Sequence, residues 1–201
     1  MIKAVTAAAA VVTAFPLLVI LLAAASQYAP MQATGVDLSG EPTALARADI
    51  PADYLTWYIS AAQTCPGLPW PVLAGIGKVE SDHGRSTLPG VHRGANFAGA
   101  EGPMQFLPGT FGEFAVNADP GQPLSPYDPA DAIFTAARML CADGAHGGST
   151  AGIEQAIFAY NHADWYVREV MTWADMYAAQ DGSGHVATRP AQPASAQEIS
   201  P

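Results

Sequence analysis

Apolar residues are densest at the start of the chain, where positions 4–25 carry no charged side chain and are interrupted only by Thr6, Thr13 and Pro16. Lys3 precedes this stretch, and small residues that include Ala23 and Ala25 end it. The apolar core of a cleaved signal peptide spans about 7–15 residues, whereas a membrane-crossing helix needs about 20. Residues 1–25 are therefore predicted to be a signal peptide or a signal anchor, and their length favours the anchor.

Farther along the chain, apolar residues recur every three or four positions, which is the spacing of one face of an α-helix. Six helical segments are predicted, and they begin near Pro51, Val72, Pro108, Asp128, Thr150 and Asp164. No stretch alternates apolar and polar residues as a half-buried strand does. The pattern predicts a mainly α domain at residues 49–180, with a flexible linker at 26–48 and a polar, disordered tail at 181–201.

The charge balance excludes one class of partner. Eight Lys and Arg stand against eighteen Asp and Glu, which gives a formal net charge of −10. Proteins that bind nucleic acid concentrate their cations in patches or stripes, whereas the basic residues here are scattered. We therefore expect no nucleic-acid partner.

The predicted export segment gives meaning to the two cysteines, Cys65 and Cys141. Outside the cytoplasm a disulfide can persist, so the sequence predicts that these residues are bridged. Two separately buried thiols are the alternative.

Most familiar catalytic motifs are missing from the sequence. It contains no His-Glu-x-x-His or Cys-x-x-Cys pattern for zinc and no Gly-x-Ser-x-Gly elbow for a serine hydrolase. The candidate that remains is Glu80, in the last turn of an otherwise apolar helix. The helix dipole and burial both raise the pKa of a carboxyl in that setting, which suits a general acid near neutral pH. A solvated surface glutamate is the alternative.

Four short motifs lie at residues 79–81, 99–111, 127–133 and 159–161. These motifs and their order resemble those of the bacterial lytic transglycosylases, and the resemblance covers about Trp57 to Tyr177. Residues 99–111 are similar to the membrane-bound B-type branch. The resemblance implies a lysozyme-like helical domain of the goose-lysozyme or SLT type. It also implies that the substrate is the glycan strand of peptidoglycan.

By this resemblance Glu80 is the single general acid and base. It would protonate the oxygen between N-acetylmuramic acid and N-acetylglucosamine, and then accept the proton of the muramyl 6-hydroxyl as that oxygen attacks C1. The product is a 1,6-anhydro sugar. Ordinary glycosidases need two carboxylates, whereas here the substrate supplies the nucleophile.

The resemblance also assigns supporting residues around Glu80. Ser81 would steady the turn that follows Glu80, and a plain helix-end hydroxyl is its alternative. Met104 and Gln105 match a pair in the family's groove, where the amide hydrogen-bonds the glycan. Tyr160 and Asn161 match a motif in which the phenol lies near the catalytic carboxyl and orients it.

The sequence departs from the B-type pattern where that branch carries a calcium loop. Residues Asn117 to Asp128 keep the length of twelve, but Gln122 replaces the central glycine and Asp128 replaces the bidentate glutamate. Calcium is therefore only a weak possibility, and we expect no metal or other cofactor.

Two other functions are compatible with the sequence. A hydrolytic muramidase on the same fold would need a second carboxylate about 6.5–9.5 Å from Glu80, for which Asp82, Glu101 and Glu113 are candidates. A non-catalytic peptidoglycan-binding scaffold of the cell envelope is the alternative of another class. In each case we expect an extracytoplasmic protein of the bacterial envelope, a monomer, anchored through residues 4–25 or secreted.

Overall fold

The computed structural model describes residue 38 and residues 40–178. This part of the chain contains seven α-helices and one π-helical turn: α1 (Ala44–Asp49), α2 (Ala52–Ala62), α3 (Trp70–Ser81), α4 (Pro108–Phe114), α5 (Pro129–Leu140), the turn (Cys141–Ala145), α6 (Thr150–Tyr160) and α7 (Asp164–Ala178). Among these residues the β structure is limited to one isolated antiparallel bridge, between Glu101 and Phe106. The predicted mainly α fold is confirmed.

The predicted export segment at residues 1–25 and the predicted tail at 181–201 lie outside the described residues. Within residues 38–178, leaving out residue 39, no helix combines the length and the apolar character that a membrane crossing requires.

Helix α3 is the central helix of the domain and carries Glu80 near its carboxyl end. Its first eight residues are all buried, and it packs against α2, α5 and α7. Two glycines allow this close packing. A Cβ atom at Gly75 would lie 2.6 Å from the carbonyl oxygen of Val170, and one at Gly77 would lie 1.9 Å from the hydroxyl oxygen of Tyr58.

The start of α5 confirms a local prediction from the sequence. Asp128 is the N-cap, Pro129 opens the helix, and the Asp128 carboxylate accepts a hydrogen bond of 3.0 Å from the backbone N–H of Asp131. The cap satisfies an amide that has no partner within the helix. At α6 the cap is Ser149, one residue before the predicted Thr150.

The predicted flexible linker at 26–48 is wrong at its carboxyl end. Helix α1 occupies most of residues 43–48 and is capped by Thr43, whose hydroxyl accepts from the N–H of Ala46. The Thr43 N–H donates to the carbonyl of Tyr177 at 3.2 Å, and the Trp70 indole donates to the carbonyl of Gly40 at 3.0 Å. This segment has few apolar residues to signal a helix, and its order depends on contacts with α3 and α7.

The predicted disulfide between Cys65 and Cys141 is present. It joins the chain just after α2 to the start of the π-helical turn that follows α5. Because the two residues are 76 positions apart, the bridge restricts a large part of the unfolded chain.

Candidate active site

Glu80 lies in the last turn of α3, where the helix reaches the surface of the domain. The residue is half-buried, and its Oε1 accepts a hydrogen bond of 2.5 Å from the hydroxyl of Tyr166 on α7. Burial raises the pKa of Glu80 to about 7, although the bond from Tyr166 favours the carboxylate and opposes this shift. Near neutral pH the carboxyl therefore populates both of its forms, so it can give a proton and take one back.

Tyr166 is the residue at this site that the sequence reasoning missed. It is almost fully buried, and burial together with the neighbouring Glu80 raises the pKa of its phenol well above the usual value. The phenol therefore stays protonated and acts as a hydrogen-bond donor. A signal did exist, because Tyr166 is spaced four residues before Val170 and eight before Ala174 and so shares the buried face of α7.

Tyr160 contacts a different partner from the one predicted. Its hydroxyl donates to the backbone carbonyl of Met104 at 2.8 Å, and its ring lies parallel to that of Tyr166 with 6.5 Å between the ring centroids. Burial, followed by the charge of the nearby Glu80, raises the pKa of the Tyr160 phenol, while the phenol that bonds Glu80 is that of Tyr166. The orienting role of Tyr160 stays a prediction. Tyr160 supports the position of the Tyr166 ring.

Ser81 connects α3 to the loop before Met104. Its side chain is buried, and its hydroxyl donates to the carbonyl of Pro103 at 2.6 Å and accepts from the N–H of Gly84 at 2.8 Å. The sequence allowed two interpretations of Ser81, as a serine that steadies the turn or as a helix-end hydroxyl. The same two hydrogen bonds fit both interpretations. It links the residue after Glu80 to the segment that also binds Tyr160.

Met104 and Gln105 have structural contacts within their own loop. The Met104 side chain is fully buried. The amide of Gln105 donates to the carbonyl of Gly102 at 2.7 Å and accepts from the side chain of Asn96 at 3.0 Å. For the predicted hydrogen bond to the glycan, the Gln105 amide therefore retains one N–H donor and a second acceptor position on its oxygen.

Asn161 ends α6 and begins the turn into α7. Its N–H donates to the carbonyl of Ile157, and its own carbonyl accepts from the N–H of Ala163 at 2.6 Å. The turn places the start of α7, and with it Tyr166, beside the end of α3.

Carboxylates in and beside the segment from Asn117 to Asp128 accept hydrogen bonds from its backbone amides. The buried carboxylate of Asp131 accepts from the N–H groups of Ala118 (2.8 Å) and Ser125 (2.9 Å), and Asp119 accepts from Gly121. These carboxylates thus hold the backbone of the segment through hydrogen bonds. In the part of the chain that the structure describes, no three His, Cys, Asp or Glu side chains are grouped closely enough to hold a metal.

Asp82 is the candidate second carboxylate nearest to Glu80 in sequence, and it is held in ion pairs. Its Oδ1 lies 2.7 Å from Lys78 Nζ and 2.7 Å from Arg85 Nη2. The hydrogen bond from Arg85, followed by contributions from Lys78, lowers the pKa of Asp82 well below its usual range. This carboxylate is bound to cations and is poorly suited to activate a water molecule.

One of the four tryptophans remains available to a ligand beside this site. Trp165 is 53% exposed, and its ring meets the edge of the Tyr166 ring with 5.8 Å between centroids. Trp70 is buried, and Trp57 and Trp173 are half-buried against the core.

Comparison with solved structures identifies the fold of this domain. The Escherichia coli lytic transglycosylase SLT35 in complex with bulgecin A matches with a TM-score of 0.51 and 16% identity, over 79% of this chain and 82% of that chain. The described domain has the fold of this SLT35 structure. SLT35 in complex with calcium (TM-score 0.48, 15% identity, 64% of this chain and 75% of that one) and a 36 kDa muramidase/transglycosylase (TM-score 0.48, 15% identity, 64% and 76%) also match.

No protein-family model matches the chain, and no curated protein matches its sequence. The likeness therefore rests on structure, and it supports the lysozyme-like fold that the sequence motifs imply.

Proposed function

We propose that this protein is a peptidoglycan lytic transglycosylase that cleaves the bond between N-acetylmuramic acid and N-acetylglucosamine. The observation that carries the proposal is the setting of Glu80, a carboxyl with a pKa of about 7 at the end of a buried helix and hydrogen-bonded to Tyr166. The lysozyme-like fold supports this assignment. The motif at residues 99–111 favours the B-type branch within it.

In the proposed reaction protonated Glu80 gives its proton to the glycosidic oxygen as the bond from that oxygen to C1 of the muramyl residue breaks. The N-acetylglucosamine side leaves with that proton. Glu80 is now a carboxylate, and Tyr166 stabilises it by donating its hydrogen bond. The carboxylate then takes the proton of the muramyl 6-hydroxyl while its oxygen forms a bond to C1. This closes the 1,6-anhydro ring and restores protonated Glu80.

A single titrating group is sufficient in this scheme because no water is consumed. Asp82, the candidate closest in sequence for activating water, is held by Lys78 and Arg85. These ion pairs argue against Asp82 as the water-activating carboxylate of a hydrolytic muramidase.

The same proposal includes the place where the protein acts. Its substrate lies outside the cytoplasmic membrane, and the disulfide between Cys65 and Cys141 is compatible with an oxidising compartment. We propose an extracytoplasmic envelope protein with glycan strands as its partner, exported through residues 1–25.

Digestion of purified peptidoglycan by the native protein, Glu80→Gln and Glu154→Gln tests the proposal. Glu154 is an exposed residue of α6 and provides a matched control with the same chemical change. We expect the native and Glu154→Gln proteins to release muropeptides that mass spectrometry shows to be one water lighter than hydrolysis products. Glu80→Gln should lose at least about a hundredfold of the rate, the lower range for a general acid.

Two outcomes would contradict the proposal. Muropeptides that end in reducing muramic acid would identify a hydrolase instead. Equal release by Glu80→Gln and native protein would remove Glu80 from the chemistry, and no release by a folded native protein would favour the non-catalytic scaffold.

A further inference from the structure

A buried histidine lies three residues after Glu80 and takes no part in the proton transfers proposed above. His83 is 1% exposed and has a φ angle of 55°, and Asp82 before it has a φ angle of 53°. Consecutive non-glycine residues in the left-handed region are unfavourable and persist only where surrounding contacts hold them. The turn that follows Glu80 must therefore be held by its side chains.

Two sets of contacts hold this turn. The Asp82 carboxylate pairs with Lys78 and Arg85, as described above. The imidazole of His83 lies between two phenols, with Nδ1 3.1 Å from the hydroxyl of Tyr58 on α2 and Nε2 3.0 Å from the hydroxyl of Tyr177 on α7.

The direction of these hydrogen bonds follows from the last link in the chain. The Tyr177 hydroxyl donates its only proton to Asp49 Oδ2 at 2.6 Å, so its oxygen accepts the bond from His83. Nε2 of His83 therefore carries the proton. In the neutral ring Nδ1 is then an acceptor, and Tyr58 donates to it.

The chain of bonds from Tyr58 to Asp49 thus has a single direction and ends on a carboxylate that is itself paired. Lys78 Nζ lies 2.8 Å from Asp49 Oδ2, and Arg85 Nη2 lies 3.2 Å from Asp49 Oδ1. Aligned hydrogen bonds of this kind polarise and strengthen one another.

Burial keeps the His83 ring neutral among the charged and titratable groups that surround it. Burial lowers the pKa of His83 to about 3, which outweighs the opposing charge of Asp49. The other groups near the ring come from α2, α7, the end of α3 and the turn itself: Tyr58, Tyr177, Lys78, Asp82 and Arg85. The network therefore keeps one state over the pH range in which Glu80 titrates.

The same turn is tied directly to the site. Gly84, next to His83, donates to the hydroxyl of Ser81, and Ser81 follows Glu80 in the chain. We propose that His83 is a positioning residue that acts as a neutral imidazole protonated on Nε2. It joins α2, α7 and Asp49 to the turn after Glu80, and it thereby holds the Glu80 carboxyl against Tyr166. The effect of His83 on catalysis rests on the proposed function, whereas the protonation state of His83 and its effect on the position of Glu80 do not.

The protonation state can be measured in the native protein by ¹⁵N NMR of the histidine rings, with His83 assigned by its absence from His83→Gln. We expect a neutral ring with the proton on Nε2 from pH 5 to pH 8. A proton on Nδ1, or a doubly protonated ring at pH 6, would overturn the proposal.

The positioning role is tested by Tyr177→Phe, which removes one hydroxyl from the chain and keeps the aromatic ring. Thr135→Val is the matched control, because it removes a buried hydroxyl that accepts from Val116 on the distant α4–α5 side of the domain. We expect Tyr177→Phe to let water reach Glu80 and to lower its titration midpoint, followed by ¹³C NMR of the carboxyl, by about half a pH unit. With soluble glycan fragments kcat should fall about tenfold and KM should stay within twofold.

A purely structural role would give a different result. If Thr135→Val and Tyr177→Phe lower the melting temperature equally and leave the Glu80 midpoint unchanged, the proposal is wrong. Tyr58→Phe provides the same test if Tyr177→Phe does not fold. A native protein without activity would contradict the proposed function alone, because the titration of the Glu80 carboxyl would still measure how that carboxyl is positioned.

Discussion

At the scale of single residues, the proposed chemistry depends on one carboxyl that the fold partly removes from water. Burial raises the pKa of Glu80 from its ordinary 4.5 to about 7, and the phenol of Tyr166 limits this shift. A general acid of this kind operates best near its own pKa. The same burial must reduce the stability of the folded protein when Glu80 is ionised.

We therefore predict a pH-dependent stability difference between the native protein and Glu80→Gln. Because the folded state holds the Glu80 proton more tightly than the unfolded state, the contribution of Glu80 to the free energy of unfolding decreases as pH rises from about 4.5 to 7. The free energy of unfolding of Glu80→Gln, measured relative to that of the native protein, should rise by at most about 3 kcal/mol between pH 4 and pH 8.

Urea denaturation of both proteins at pH 4, 6 and 8 measures this difference, and the comparison cancels the titration of all other groups. A difference that stays constant over this range would show that Glu80 titrates at an ordinary pKa in the folded protein.

At the scale of elements, a side-chain carboxylate holds the segment between α4 and α5. Residues 117–128 between α4 and α5 have the length of a calcium loop, and two of their amides donate to the carboxylate of Asp131 in the first turn of α5. Asp131 is buried and joins both ends of the loop, at Ala118 and Ser125, to one helix.

We predict that Asp131→Asn destabilises the protein by about 1–3 kcal/mol, since an asparagine offers one acceptor oxygen and leaves a half-buried backbone donor without a partner. Thermal unfolding should show this loss, whereas Asp119→Asn, which accepts only from exposed Gly121, should change little. Neither calcium nor a chelator should move the melting temperature of the native protein. A stabilisation by millimolar calcium that Asp131→Asn abolishes would contradict this account of the loop.

At the scale of the whole molecule, contacts between distant parts of the chain join into one domain. Helix α3 lies at the centre, and the glycines at 75 and 77 allow α7 and Tyr58 to approach its backbone. The disulfide adds a covalent link between α2 and the end of α5.

Replacing both cysteines with serine should lower the free energy of unfolding by about 2–5 kcal/mol, because the unfolded chain regains the freedom that the bridge removes. Urea denaturation of the oxidised native protein and of the double variant measures this change. The native protein treated with a reductant should match the variant. Equal stability of the oxidised and reduced forms would mean that the bridge does not constrain the unfolded chain.

Much of the fold was predictable from the sequence because its signals are local. The spacing of apolar residues identified the six longest helices of residues 40–178, and the Asp128-Pro129 pair identified the start of α5. Helix α1 was missed because its few apolar residues become ordered only through contacts with α3 and α7. Glu80 could be selected because it is a lone carboxylate at the end of an apolar helix, and that too is a local feature.

The partners of Glu80 could not be found in this way, because each lies far away in the chain. Tyr166 is 86 positions from Glu80, and the neighbouring network joins His83 to Tyr177 across 94 positions and Asp49 to Tyr177 across 128. Helical periodicity shows that such residues face the core but does not show which of them meet. The pattern of side chains along the chain was therefore enough to specify helices, caps and a candidate acid. The packing of α3 against α7 decided that Tyr166 and not Tyr160 bonds Glu80, and it also formed the His83 network. The physical reason is that only folding brings those atoms within hydrogen-bond distance.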